Sequence, residues 1–278
     1  MSSKPVSKPV SKKDAVAFAS SAQLGGATDI VVANLNDSAM ALAACQGATA
    51  FELGATETTI VVYVVDASGS MTEVASAVRD SVKEAAEAYK ETKQAAAMTL
   101  TFLAFNESDW VAFANKPVEA ITDADIQYSA GGMTALYDAV LDAISGAMVY
   151  EEQLMRSGMT TKVIVVVFSD GADNSSIRGT PKNIKTIADK LLRSEEKGNW
   201  TLAFVGFHTY EERLHGTDYR AIAKGMGFPN ILEIDLTGDA YARRHTLRQV
   251  GQLVSKSVIR KSQTVIDPNA PADFFTTT

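Results

Sequence analysis

The sequence predicts an α/β domain in which helices cover both faces of a mostly parallel, doubly wound sheet of six strands. Two observations lead to this fold class. Apolar runs alternate with segments of helical periodicity from Thr58 to about residue 260, and most of these runs contain few polar residues, as in strands covered on both faces. Strands and helices that alternate in this way are typical of a parallel sheet packed between helices.

Six segments are predicted as strands. The segment from Trp110 to Val118 is shorter, and Pro117 suits it to the edge of a sheet, because proline cannot donate a ladder hydrogen bond. The segment Asn230 to Leu236 supplies another strand. The remaining four are almost entirely apolar: Thr59 to Val65, Met98 to Phe105, Lys162 to Phe168 and Thr201 to Val205.

Helical segments separate most of these strands. Apolar residues recur at spacings of three and four from Val74 to Tyr89 and again from Leu247 to Val258, so that each set lies on one face of a helix. Three further helical segments complete the alternation: residues 134–155, 181–195 and 217–226.

The N-terminal residues have a different composition from the rest of the chain. Residues 3–12 repeat Ser-Lys-Pro-Val, which cannot pack a core and predicts a flexible basic arm. The following segment is rich in Ala, Gly and small polar residues. It predicts short helices at Ala15 to Ala22 and Ser38 to Gln46, and a strand at Ile30 to Leu35. No function is assigned to it.

Composition limits the possible functions. The 278 residues carry a formal charge of −7, and because residues 1–13 contribute four lysines and no acid, the remainder carries −11. A body this acidic repels phosphate backbones, so nucleic acid is not an expected ligand. No apolar run approaches a membrane span, and no apolar segment follows the N-terminal lysines. With Cys45 as the single cysteine, we expect a cytoplasmic protein without disulfides.

Hard oxygen donors follow the first apolar strand. Asp66, Ser68 and Ser70 form the sequence Asp-Ala-Ser-Gly-Ser directly after Ile60 to Val65. One carboxylate and two hydroxyls at alternate positions of a tight loop suit Mg²⁺, which prefers oxygen ligands and retains several waters. The sequence therefore predicts a metal-binding loop at the end of this strand.

Two more segments contribute donors of the same kind. Thr134 follows Gly131-Gly132-Met133 and precedes a helical segment, and Asp170 ends the strand that begins at Lys162. In open α/β sheets, ligands bind at the carboxyl ends of strands where the strand order reverses. We therefore expect Asp66 and Asp170 to be neighbours at that point, with Thr134 above the same crevice.

These three sites resemble, in order and context, the metal-ion-dependent adhesion site (MIDAS) of the von Willebrand factor A (vWA) family. The resemblance implies a Rossmann-like vWA fold, in which the strand from Trp110 is the one antiparallel edge strand. The chain looks more like stand-alone intracellular bacterial or phage members than like extracellular adhesins. All five positions of the motif are filled: Asp66, Ser68, Ser70, Thr134 and Asp170.

The resemblance divides the chain into four parts. Residues 1–13 are the basic arm, residues 14–55 an N-terminal extension, residues 56–260 the vWA domain and residues 261–278 a C-terminal tail. The tail is polar and contains proline, and it is expected to be loose.

The resemblance also implies a function. The family binds Mg²⁺, with Mn²⁺ or Ca²⁺ as possible substitutes, and the ion takes up a Glu or Asp carboxylate from a partner protein in place of water. Thr134 and Asp170 are implied to exchange between direct and water-mediated contact with the ion. Intracellular members often serve as adaptors or assembly components, many alongside MoxR-type AAA+ ATPases, so such an ATPase is one candidate partner. No membrane partner is expected.

Other interpretations remain open at this stage. Each fragment alone could be a turn or a helix N-cap, since Ser, Gly and Asp favour both. A Mg²⁺-dependent phosphotransferase or hydrolase is a second hypothesis, but position 68 is serine where a phosphotransferase needs a second acid, and no Gly-x-Ser-x-Gly surrounds it. A ribonucleoprotein component is a third, supported only by the basic arm. We expect no catalysis.

Residues near the motif could shape the ligand surface. Asp173, Asn174 and Ser175 follow Asp170 and are interpreted as loop residues that help to select a partner. His208 follows a strand and is expected near the same end of the sheet, although it fits no metal-ligand spacing.

Overall fold

The computed structural model describes residues 10–22, 24–43, 56–193, 199–209, 216–263 and 274–275. A single six-stranded sheet with the order β3-β2-β1-β4-β5-β6 forms its centre. The strands are β1 Glu57–Asp66, β2 Met98–Phe105, β3 Asp109–Pro117, β4 Thr160–Ser169, β5 Trp200–His208 and β6 Asn230–Asp235. β3 pairs antiparallel with β2 at one edge, and all the other pairs are parallel. The predicted doubly wound α/β fold and all six strands are confirmed.

Helices cover both faces of this sheet. They are α1 Lys12–Ser21, α2 Gly26–Ala33, α3 Asp37–Ala43, α4 Ala75–Lys90, α5 Leu136–Arg156, α6 Pro181–Arg193, α7 Tyr219–Gly225 and α8 Ala240–Gln263. α5, α6 and α7 pack on the face that carries Ile60 and Val62, while α4 and α8 pack on the face that carries Val61 and Tyr63. This alternation is the period-2 pattern of a strand buried on both sides.

The predicted strand at Ile30 to Leu35 is wrong, because these residues lie in α2 and the turn after it. The buried apolar residues of this stretch are Leu24, Ala27, Val31 and Leu35. Their spacings of three and four are those of one helix face, so the helical period outweighs the β-branched composition. The predicted helices at Ala15 to Ala22 and Ser38 to Gln46 correspond to α1 and α3, although residues 44–46 lie outside the described part.

Residues 12–22 and 24–43, which comprise α1, α2 and α3, form an additional layer on top of α5 and α6. We call it the N-terminal layer. Its buried alanines and leucines belong to the same apolar core as α5. The closest approach is at Gly146 of α5, where a Cβ would lie 2.4 Å from Leu42 Cβ and 2.7 Å from the Ala39 carbonyl oxygen. α5 is therefore enclosed between the sheet and this layer.

The chain ends differ from the expected loose segments where they are described. α1 begins at Lys12, inside the segment predicted as a basic arm; residues 1–9 lie outside the described part. α8 continues to Gln263, and Phe274 is buried, with its N–H donating to Asn230 Oδ1 at 2.9 Å. In the described part of the chain, no helix is long and apolar enough to cross a membrane.

Candidate metal centre

The five predicted ligand residues converge at the carboxyl edge of two neighbouring strands. Asp66 is the last residue of β1, and Asp170 follows the last residue of β4. β1 and β4 are adjacent and parallel, with Val65 opposite Phe168. β1 is also where the strand order reverses, since β2 lies on its other side. The two acids therefore meet at the switch point, as predicted.

Asp66 is fully buried and is held by the loop that follows it. Its Oδ1 accepts a hydrogen bond from the Ser68 N–H at 2.8 Å, and its Oδ2 accepts one from Ser169 Oγ at 2.5 Å. Burial raises the pKa of Asp66, and the hydrogen bonds from Ser169 and Ser68 partly oppose that shift. These hydrogen bonds orient the carboxylate. Its negative charge is poorly solvated, and a bound cation would stabilise that charge.

Ser68 and Ser70 connect the two acids. Ser68 Oγ lies 3.1 Å from Ser70 Oγ, and Ser70 Oγ donates to Asp170 Oδ1 at 2.8 Å. Ser68 and Asp170 are buried, whereas Ser70 is exposed. The oxygen donors therefore extend from the buried end of β1 to the protein surface.

Thr134 reaches the site from the segment before α5. Its N–H donates to Asn174 Oδ1 at 2.8 Å, and its carbonyl oxygen accepts the N–H groups of Asn174 and Ser175. Thr134 Oγ1 would lie 3.5 Å from a Cβ on Gly171, the residue after Asp170. The hydroxyl thus borders the segment that carries the second acid, and all five predicted residues are close together.

Backbone hydrogen bonds join the two loops that carry Ser68, Ser70 and Thr134. The Gly69 N–H donates to the Gly132 carbonyl at 3.0 Å, and the Gly131 N–H donates to the Ala67 carbonyl at 2.8 Å. Gly132 has a φ of 85°, which a residue with a Cβ rarely adopts. These bonds fix the position of Thr134 relative to Ser68 and Ser70.

Sequence reasoning missed two residues between β2 and β3 that hold the same loop. Asn106 Nδ2 donates to the Gly131 carbonyl at 2.8 Å, and Glu107 Oε2 accepts the Met133 N–H at 2.9 Å. A Cβ on Gly132 would collide with the Glu107 carboxylate. The one sequence feature that could have identified Asn106 and Glu107 is their position directly after β2, the strand next to β1.

Two buried tyrosines lie behind the acids. Tyr128 Oη donates to the Asp66 carbonyl at 2.5 Å, and Tyr219 Oη donates to the Asp170 carbonyl at 2.6 Å. Burial, together with the nearby Asp66 and Asp170, raises the pKa of Tyr128, so it stays a neutral donor. Nothing in the local sequence around either tyrosine indicates this role.

His208 is separated from the candidate ligand residues by one side chain, that of Tyr219. Its ring packs edge-on against Tyr219, with 4.7 Å between ring centroids, and its Nε2 is 3.8 Å from Glu233 Oε1. It contacts none of the five predicted ligand residues through any described hydrogen bond. His208 is therefore near the site end of the sheet, as predicted, but behind Tyr219.

The donor set of the candidate centre consists of two carboxylates and three hydroxyls. Within the described ranges, no group of three or more His, Cys, Asp or Glu side chains could hold a metal ion. The candidate centre contains only two such side chains, Asp66 and Asp170, and its other donors are hydroxyls. Its oxygen donors suit a hard cation such as Mg²⁺ and do not suit a soft one.

No protein-family model matches this sequence, and no curated protein matches it either. Among solved structures, the chain is similar to proximal thread matrix protein 1 from the mussel byssus, with 16% identity over 73% of this chain and 46% of that one and a TM-score of 0.44. Another structure of that protein has a zinc-occupied MIDAS motif (15% identity, 70% and 46% coverage, TM-score 0.45).

Bacterial surface proteins show a similar degree of likeness. The pilus adhesin SpaC from Lactobacillus rhamnosus GG has 13% identity over 73% of this chain and 30% of that one, with a TM-score of 0.49. The PilB minor pilin from Streptococcus sanguinis has 11% identity, coverage of 73% and 63%, and a TM-score of 0.47. The chain thus spans less than two thirds of each of these proteins. Similarities at this level establish neither its family nor its function.

Proposed function

We propose that this protein is a metal-dependent protein-interaction module that binds an acidic side chain of a partner. The observation that supports it best is the convergence of Asp66, Ser68, Ser70 and Asp170 in one connected set of hydrogen bonds at the switch point of the sheet. Thr134 adds a third hydroxyl beside Gly171. These five side chains would hold Mg²⁺, with Mn²⁺ or Ca²⁺ as substitutes.

Charge explains why such a site would accept a carboxylate. Asp66 and Asp170 are both fully buried, and two nearby carboxylates without a cation are unfavourable. A bound divalent ion would compensate their charge and, with hydroxyls as its other protein ligands, keep Lewis acidity for one more oxygen ligand. The exposed position of Ser70 leaves this side of the site open to a partner.

Exposed apolar side chains near the centre favour contact with a protein. Met133, next to Thr134, is 54% exposed, and Ile177, in the segment after Asp170, is 89% exposed. Tyr241, at the start of α8, is 81% exposed; α8 follows β6 and therefore begins at this same edge of the sheet. These three are the exposed large hydrophobic residues of the described part of the chain, and exposed apolar side chains beside a polar site are typical of an interaction surface.

Binding without catalysis is part of this proposal. In the described residues, the Ser68 hydroxyl is hydrogen-bonded to the Ser70 hydroxyl, and the Ser70 hydroxyl donates to Asp170. His208 is separated from them by Tyr219, against which its ring packs. A serine without a positioned base is a poor nucleophile. Mg²⁺-dependent turnover of a phosphate ester that disappears in Asp66→Asn would contradict this part.

The partner and compartment are also proposals. An acidic chain that presents a metal site fits a cytoplasmic adaptor or assembly component, and a MoxR-type AAA+ ATPase that supplies a surface Asp or Glu is a candidate partner. The same acidity disfavours nucleic acid.

The test is a pull-down from host lysate with the purified protein in Mg²⁺, in EDTA, and as the Asp66→Ala, Ser68→Ala double variant. Asp80→Asn, which removes an exposed carboxylate on α4, is the matched control. We expect a protein that is retained by the wild type and the control in Mg²⁺ only. The acids of that protein are then changed to amides, and one change should abolish retention. Equal retention under all conditions would contradict the proposal.

A further inference from the structure

The segment after Asp170 is attached along the first turns of α5. We call residues 171–179 the rim loop. The N–H of Tyr137 donates to Asp173 Oδ1 at 3.3 Å, and the N–H of Asp138 donates to Ser176 Oγ at 3.0 Å. The rim loop therefore supplies acceptors for N–H groups at the start of α5, which have no partner within the helix.

Asp138 returns the contact from helix to loop. Its carboxylate accepts the backbone N–H groups of Ile177, Arg178 and Gly179 at 3.1, 2.9 and 2.5 Å. Three backbone donors on one carboxylate hold three successive residues of the loop. A Cβ on Gly179 would lie only 2.3 Å from the Tyr137 carbonyl oxygen, which shows how closely the loop approaches α5.

One helical turn further along, Asp142 binds the side chain of the same loop. The Arg178 guanidinium donates to both carboxylate oxygens of Asp142, from Nη1 at 2.8 Å and from Nη2 at 2.7 Å. Asp142 is fully buried, while the Arg178 side chain is 32% exposed. A buried carboxylate needs several donors to remain charged, and a bidentate arginine alone does not satisfy all its lone pairs.

The N-terminal layer supplies the next donor. Asn36 Nδ2 donates to Asp142 Oδ2 at 2.8 Å, and Asn36 Oδ1 accepts the Ala39 N–H at 2.8 Å. One side chain thus begins α3 and contacts the acid that anchors Arg178. Asp142 thus links the N-terminal layer to the rim loop, through one hydrogen bond from Asn36 and two from Arg178. The rim loop in turn connects to Thr134 through Asn174.

We propose that the N-terminal layer is a positioning element for the metal centre, acting through Asn36, Asp142 and Arg178. This inference rests on the proposed function. The Asn36 amide stabilises the charged form of Asp142, charged Asp142 holds Arg178, and the rim loop then keeps Asn174 on the backbone of Thr134. Residues 12–43 thus set the geometry of a ligand more than 90 residues away in sequence. Asn36 contacts no ligand itself and acts only through this chain of contacts.

The test compares a change at the cap of α3 with a change at the cap of α1. Asn36→Ser keeps an N-cap side chain for α3 but is too short to reach Asp142. Ser11→Ala removes the N-cap of α1, where Ser11 Oγ accepts the Asp14 N–H at 3.2 Å, and is remote from Asp142. Both weaken the layer, but only the first removes the contact with Asp142.

Two quantities are measured for the full chain. One is Mn²⁺ affinity by electron paramagnetic resonance, and the other is amide hydrogen exchange of Arg178 and Gly179 without metal. We expect Asn36→Ser to bind Mn²⁺ about tenfold more weakly and to exchange these amides about tenfold faster, as for the loss of one charge-assisted hydrogen bond. Ser11→Ala should match the wild type in both.

The remaining outcomes bear separately on the inference and on the proposed function. Unchanged Mn²⁺ affinity in Asn36→Ser, with or without faster exchange, overturns the inference, and so does an equal loss of affinity in both variants. If the wild type binds neither Mn²⁺ nor Mg²⁺, the proposed function fails. The exchange rates then decide alone: faster exchange only in Asn36→Ser supports a positioned rim loop, and unchanged exchange overturns it.

Discussion

The two faces of the sheet bury their polar groups in different ways. On the face of α5, a charged group is buried: Asp142, with Arg178 and Asn36 as its hydrogen-bond partners. On the face of α4 and α8, the Tyr63 and Tyr89 hydroxyls form a short hydrogen bond between neutral groups. The buried Lys162 ammonium on that face donates to the Ser262 carbonyl of α8, near the start of β4 and so at the opposite end of the sheet from Asp66 and Asp170. The charged cluster anchors a loop of the candidate metal centre, whereas the tyrosine pair joins β1 to α4 and is also hydrogen-bonded by Ser255 of α8.

The outer surfaces of the helices differ as well. α5 is buried along most of its length because the N-terminal layer covers its outer side, while the outer sides of α4 and α8 remain exposed. The face that positions the metal centre is thus also the face that received an extra layer. This difference agrees with the proposal that the layer positions the candidate metal centre.

The largest expected effect is the pH dependence of Asp142. Burial raises its pKa from 3.8 to about 6, against the opposing effect of Arg178; the negative charge of Asp109 adds to the rise. Between about pH 4 and pH 6 the folded protein therefore holds a proton on Asp142 that the unfolded chain has lost, and above pH 6 Asp142 is charged in both states. This group thus stabilises the fold fully below pH 4, and that contribution disappears as pH rises through 6.

Asp142→Asn should remove this pH dependence. Between pH 7 and pH 4 the wild type should gain up to about 3 kcal/mol of unfolding free energy relative to the variant, as the size of the pKa shift implies. Urea unfolding at a series of pH values measures it. A difference between the two proteins that does not change with pH would show that Asp142 has an ordinary pKa.

The next effect compares one glycine on each face. At Gly146 of α5, a Cβ would meet Leu42 and Ala39 of the N-terminal layer at less than 3 Å, so Gly146→Ala should cost about 1–3 kcal/mol of stability through overpacking. At Gly251 of α8, a Cβ would lie 3.1 Å from Ser81 Cβ. There the gain in helix propensity, about 1 kcal/mol, should offset the tight contact.

Denaturant unfolding of both variants measures the comparison. Equal costs for Gly146→Ala and Gly251→Ala would mean that the N-terminal layer adjusts to the added methyl group and is not tightly packed on α5.

The smallest expected effect concerns the tyrosine pair. Tyr89→Phe removes one hydroxyl and leaves Tyr63 without that partner, which should cost about 1 kcal/mol. Burial raises the pKa of Tyr63 to about 12, so the cost should not vary between pH 4 and 7. The same urea series measures it, and a cost that changed over this range would remove the contrast with Asp142.

Local sequence patterns predicted the features that depend on residues close together in the chain. β1 and β4 are continuous apolar runs, and α4 repeats its buried residues at spacings of three and four, so these patterns predicted the strands and helices. The meeting of Asp66 with Asp170 followed from the rule that sites lie where the strand order reverses. The fold class could be predicted without knowing how the N-terminal layer packs.

Residues whose role depends on distant contacts were not predicted. Ile30 and Val31 are β-branched and suggested a strand, but α6, the helix on which α2 packs, begins 150 residues after Val31. Asn36 is an ordinary helix cap in sequence, and its contact with Asp142 depends on the docked layer. Tyr128 and Tyr219 also reach the acids only through the tertiary fold.

Thermal unfolding of the wild type, Asp66→Asn and the control Asp80→Asn, each in EDTA and in excess Mg²⁺, tests the central claim most directly. Because Asp66 is a buried charge, the amide variant should be at least as stable as the wild type in EDTA. In Mg²⁺ the wild type and Asp80→Asn should gain about 2.7 kcal/mol at a hundredfold excess over Kd, and Asp66→Asn should gain nothing. Equal responses of all three proteins, or no response of the wild type, would contradict a metal centre built on Asp66.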